Sequence, residues 1–203
     1  AVDCLPDDDV NRADLLVVGC EASLSSGDVA SGAPMLKRLA NLAIDDARLG
    51  AWTTCFEAQL TVLTDPSGLT DAAATTAVAA DTLAELGDEA GVAKARLTRA
   101  NALARLGQIG DCEAELDLAL GAARTADDRR RITSVLGAAP VAALWGPSPV
   151  PRAGGRCLDV MRLSRITADS PAVEATSVRC QAVLEGMRGR FDTARSLLDA
   201  LGD

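Results

Sequence analysis

Apolar residues recur along most of the chain every three to four positions, the spacing of an amphipathic helix. The runs are broken at nearly even intervals. Turn glycines stand at Gly27, Gly68, Gly107, Gly146 and Gly189, spaced 41, 39, 39 and 43 residues apart. Between them lie helix-start signals: Asp8, Asp46, Asp88, Asp127 and the Ser170–Pro171 pair, spaced 38, 42, 39 and 43. Asp and Ser cap free helix N–H groups, and Pro is tolerated in the first turn. Two kinds of punctuation thus share one period. They predict helices over 10–25, 28–43, 47–64, 70–86, 89–106, 109–124, 128–144, 150–164, 171–188 and 191–202, with Pro140 expected to kink or split the seventh.

The punctuation also fixes which residues should touch. Relative to Gly27, Gly107 and Gly189, small residues stand seven before (Cys20, Ala100, Ala182) and five after (Gly32, Cys112, Ala194). Apolar residues stand two after (Val29, Ile109, Phe191), and leucine nine after (Leu36, Leu116, Leu198). Small side chains let two helices of a pair cross at the usual 8–10 Å separation. Each unit therefore reads as helix A, a turn and helix B, in repeats of about 8–45, 46–87, 88–126, 127–169 and 170–203. In the last of these, "RGRFDTARSLLDALGD", Phe191, Ala194 and Leu198 are expected to pack back onto helix 171–188. Leu197 and Leu201 are expected to face a further helix. The chain reads as a segment excised from a longer protein, able to dimerise through this uncapped edge.

Composition agrees with packed helices. Of 203 residues 48% are hydrophobic but only 2% aromatic, with no Tyr, so the core must be built from Ala, Leu and Val, which suits helices better than sheets. A formal charge of −9 argues against a nucleic-acid or anionic-membrane partner. There is no His, and the six cysteines form no CxxC pair, which leaves no zinc-ligand spacing. Five of them fall within predicted helices and read as buried, reduced thiols of a cytoplasmic protein.

The copies "ANALARLGQIGDCEAELDLAL" (100–120) and "QAVLEGMRGRFDTARSLLDAL" (181–201) resemble the tetratricopeptide repeat: a small residue in helix A, a turn glycine, an apolar residue, then an alanine in helix B and a large apolar residue. The repeats here are about forty residues against thirty-four, and the large aromatics usual early in helix A are missing. HEAT and armadillo repeats share the longer period. The resemblance implies an all-α, right-handed superhelix of about five helix-turn-helix repeats. "AALWGPSPVPRAGGRCL" and "LEGMRGRFDTARSLL" further resemble the helical-repeat tail of actinobacterial multidomain regulators, in which a cyclase or DNA-binding module precedes an AAA-type ATPase. That likeness implies a non-catalytic interaction or regulatory module, bound to a protein, a peptide or other domains of its own polypeptide. A small-molecule sensor with its effector in the groove is the alternative.

No residues carry an enzyme signature. "AGGRC" (153–157) lacks the strand and lysine of a phosphate loop and reads as a helix contact. Cys157 lies near Arg152 and Arg156 but reads as packed rather than reactive. "DDRRR" (127–131) reads as a solvated helix end. No cofactor or metal is expected. Tetratricopeptide superhelices bind peptides along helix A, so the resemblance points to Lys94, Leu97, Asn101 and Arg105 in the third copy and to Thr176, Arg179 and Val183 in the fifth.

Overall fold

The residues that punctuate the sequence also terminate its helices. In a computed structural model, residues 12–167 and 170–201 are described, Thr167 by its backbone alone. They form α1 (Arg12–Ser25), α2 (Val29–Leu42), α3 (Ala47–Thr64), α4 (Leu69–Glu85), α5 (Glu89–Arg105), α6 (Ile109–Thr125), α7 (Arg129–Trp145), α8 (Val150–Thr167), α9 (Pro171–Met187) and α10 (Phe191–Asp199). No strand occurs among the described residues. Every predicted helix is present, with bounds within three residues of those expected.

The caps explain the boundaries. Asp46 accepts from the Leu49 N–H at 2.9 Å, Asp88 from Gly91 at 2.9 Å and Ser170 from Val173 at 3.5 Å. Asp28 caps α2 in the same way, at 3.0 Å from the Ser31 N–H. The fourth cap is Asp128, not Asp127: Asp128 accepts from the Arg131 N–H at 3.0 Å. Asp127 instead closes α6 in the left-handed region, at φ 51°. It has the role that Gly87 (φ 70°) has after α4, and the capping task passes to the next residue. Gly27, Gly107 and Gly189 are left-handed, as turn glycines should be, whereas Gly68 and Gly146 have negative φ within Pro-containing turns. The expected Asp8 cap and Cys4 lie outside the described residues. Pro140 does not split α7, which runs unbroken through it; the ring is fully buried, and its packing offsets the lost hydrogen bond.

Helix contacts fall into two compact units, one ending at Leu106 and the other beginning at Gly107. In the first, α1 packs on α2 and α3, and α3 on α4 and α5. The core joins Leu16, Leu24, Leu36 and Leu39 to Trp52, Phe56 and Leu83. In the second, α7 packs on α6, α8 and α9, and α9 on α8 and α10. Helix A thus meets both its own helix B and the next helix A. The small-residue positions of the earlier copies and Ala182 are buried where the expected register puts them, whereas Ala194 is only half-buried. Cys20, Ala100, Cys112 and Ala182 are buried, and a Cβ on Gly32 would lie 2.6 Å from Leu24 Cδ2.

The expected register of α10 is corrected. Phe191 is 67% exposed and Leu198 49%, while Leu197 and Leu201 are half-buried and line one cleft with Met161 and Val178. The repeat supplies the reason. Leu198 corresponds to Leu36 and Leu116, which are buried because α3 and α7 follow them. No described helix follows α10, so this position stays open.

Candidate functional site

The residues expected to line a groove occupy α5 in the first unit and α9 in the second. On α5, Lys94, Leu97, Asn101 and Arg105 lie along one helical face, but not at one depth. Lys94 is only 3% exposed. Its ammonium pairs with Glu21 on α1 at 3.0 Å, donates to Gln59 Oε1 on α3 at 2.5 Å and lies 4.8 Å from the centroid of the Phe56 ring. A buried lysine needs such compensation for desolvation. It stitches three A helices together and is not a free cation on a surface. Leu97 is half-buried; Asn101 and Arg105 are exposed. On α9, Thr176 is half-buried and donates to the Ala172 carbonyl at 2.8 Å, while Arg179 and Val183 are exposed.

A second polar network supports the same A helices. Asp88, at the start of α5, accepts from the Trp52 indole at 2.8 Å and from Arg48 Nε at 2.6 Å, in addition to its cap. Burial alone would raise its pKa. The indole, the Gly91 N–H and Arg48 together outweigh burial and hold the carboxyl below its ordinary range.

The described cysteines are all buried. Desolvation pushes Cys20 and Cys112 up to about 11 and Cys157 to about 12; for Cys157 the neighbouring Cys180 adds to the effect and Arg156 only partly opposes it. Thiols in that state are protonated at neutral pH and are poor nucleophiles. No group of three or more metal-ligand side chains assembles among the described residues. The charge run at 127–131 is only partly solvated. Arg129 and Arg130 are exposed, but Arg131 is buried and ion-paired with Asp128.

The sequence did not single out the surface made by α6, the α7–α8 connection and the start of α8. There Glu113, Asp117, Ser148, Arg152, Arg156 and Asp159 line a cleft of about 620 Å3. Arg156 grips Asp117 with both terminal nitrogens, at 2.5 and 3.2 Å. Its Nε is buried without a hydrogen-bond partner, 3.8 Å from Glu113. Burial raises the Glu113 pKa, against the opposing pull of Arg156. A smaller notch of about 380 Å3 adjoins, bounded by Gly107, Gly110, Pro147 and Trp145. Trp145 is 67% exposed, whereas Trp52 is buried. The available signal was "LWGPSPV", where the left-handed turn made by Gly27, Gly107 and Gly189 gives way to a Pro-containing connection.

Neither a protein-family model nor a curated protein matches the chain. Solved structures do. BtubC (BKLC) from P. vanneervenii is similar with a TM-score of 0.69 at 19% identity, over 94% of this chain and 78% of that one. A putative kinesin light chain from Podosopora anserina, with nearly identical TPR-like repeats, aligns with a TM-score of 0.69 at 13% identity, over 96% and 95%. A variant of that protein gives 0.68. The fold is therefore a tetratricopeptide-type helical repeat.

Proposed function

We propose that this chain is a non-catalytic protein-interaction module and that its partner is a protein or peptide. Folds of this type generally serve protein interaction. The observation that carries the reading is the division of side chains. The described cysteines are buried, and desolvation holds Cys20, Cys112 and Cys157 protonated, while large apolar side chains such as Trp145, Val183 and Phe191 face solvent. Exposed aromatic and aliphatic side chains on a rigid scaffold are the raw material of interaction surfaces. The acidic balance supports a protein rather than a nucleic-acid partner. No helix among the described residues is long and apolar enough to cross a membrane. The sequence likeness to regulator tails supports a regulatory role in a cytoplasmic signalling protein, with Asn101, Arg105, Arg179 and Val183 the exposed members of the expected binding faces. The open Leu198 edge supports self-association.

Two screens test this reading. Labelled chain applied to a peptide array should bind a subset of peptides saturably. A thermal-shift screen against nucleotides and metabolites should leave the midpoint in place. A midpoint raised by several degrees by one metabolite, with no peptide bound, would transfer the reading to an effector-sensing domain.

A further inference from the structure

We infer that the α6/α8 face of the second unit docks an extended peptide bearing an arginine or lysine, with the cation on Glu113 and a neighbouring residue on Trp145. This rests on the interaction-module reading and narrows it to one face and one partner chemistry. Three observations point the same way.

The first is Glu113. Its side chain is 13% exposed and opens into the cleft, yet among the described residues no hydrogen-bond donor reaches its carboxylate. Arg156, the cation beside it, gives both terminal nitrogens to Asp117; its Nε pairs electrostatically with Glu113 at 3.8 Å, beyond hydrogen-bond reach. A mostly buried carboxylate without donors gains from a charge-assisted bond. A guanidinium or ammonium entering the cleft would supply one.

The second is charge. Four carboxylates, Asp111, Glu113, Asp117 and Asp159, line the cleft and notch; Arg152 and Arg156 line it with them, and Arg162 pairs with Asp159 from outside, which leaves one negative charge in excess. The chain as a whole carries −9. Both the local and the long-range field therefore favour a basic partner.

The third is the notch. An exposed indole offers a large contact area at a small entropy cost, and tryptophan is over-represented among residues that dominate interfaces. Gly107 leaves open space in the notch, since a Cβ there would meet nothing within 4 Å. Gly146 also joins the two parts of the site: a Cβ there would lie 2.7 Å from Glu113 Oε2.

The test is an NMR titration of the uniformly 15N-labelled full chain with the capped peptide GSRRSG, using capped GSQQSG and GSEESG as controls. The arginine peptide should shift the Trp145 indole N–H and the amides around Glu113 saturably. The Trp52 indole, bonded to Asp88 in the first unit, should stay still. Glu113→Gln should weaken binding about tenfold, roughly the effect of one lost charge-assisted bond. Trp145→Ala should weaken it by a similar factor, and both variants should retain the wild-type circular dichroism. Equal response to all three peptides, no response at this face, or unchanged affinity in Glu113→Gln would overturn the inference. Shifts confined to Asn101 and Arg105, or to Arg179 and Val183, would overturn this placement while leaving the interaction-module reading intact.

Discussion

Asp88 ties a helix cap, an indole and a guanidinium together in the first unit. It caps α5, accepts from Trp52 and pairs with Arg48. Replacing it with Ala removes a cap, costing about 1 kcal/mol. It also removes the hydrogen bond from the Trp52 indole, costing about 1 kcal/mol more. Its folded pKa lies below the unfolded one, so the charged form is bound more strongly by the folded state. That contribution is present above the unfolded pKa of about 3.9 and is lost as pH falls through the folded value. Asp88→Asn keeps the cap but has no charge to lose. Denaturant melts between pH 5 and pH 2 should show a shallower loss of stability in this variant than in wild type.

At the scale of the helices, stability depends on how closely paired helices approach. Ala100 and Ala182 are buried at the positions that let paired helices approach. Ala100→Leu and Ala182→Leu should each cost about 1–3 kcal/mol by overpacking, and Ser at either site should cost less. Equilibrium unfolding checks this; an unchanged midpoint in Ala100→Leu would contradict the crossing geometry. The thiols obey the same packing. Their folded pKa values of about 11 to 12 lie above the ordinary 9.0, so the folded state binds these protons more tightly. That contribution is whole below pH 9 and is lost as pH rises through 11 to 12. A chromogenic disulfide reagent at pH 8 should label Cys20, Cys112 and Cys157 only as fast as the chain opens, and all at once in denaturant.

For the molecule as a whole, the open edge at α10 is decisive. Leu116 is 1% exposed and its counterpart Leu198 is 49% exposed, although the local sequences match. Leu198→Glu should therefore change stability by no more than about 0.5 kcal/mol, and should lower any self-association seen by light scattering. Leu197→Glu places a carboxylate in the largely apolar cleft that residue 197 lines with Met161 and Val178 and should cost about 1–3 kcal/mol. If Leu198→Glu proved the more destabilising of the two, the register of α10 would be the reverse of the one described.

What the sequence determined by itself was everything set by neighbours along the chain. Helix period, capping Asp and Ser, left-handed glycines at Gly27, Gly107 and Gly189, and the small residues Cys20, Ala100 and Ala182 are local requirements, and they repeat, so each copy corroborates the others. Local rules also failed in local ways. The rule that Asp precedes a helix did not separate Asp127 from Asp128, because either can cap and only the backbone shows which is left-handed. Depth and partnership were decided by the tertiary structure. Lys94 and Asn101 share one face of α5, yet only Lys94 is buried, because Glu21 and Gln59 reach it from α1 and α3. The cleft around Glu113 and Trp145 draws on α6, α8 and the turn before α8, which are far apart in sequence and follow no shared period. The physical reason is that a helix cap is satisfied within four residues, whereas burial and the pairing of charges depend on which helices the packing brings together.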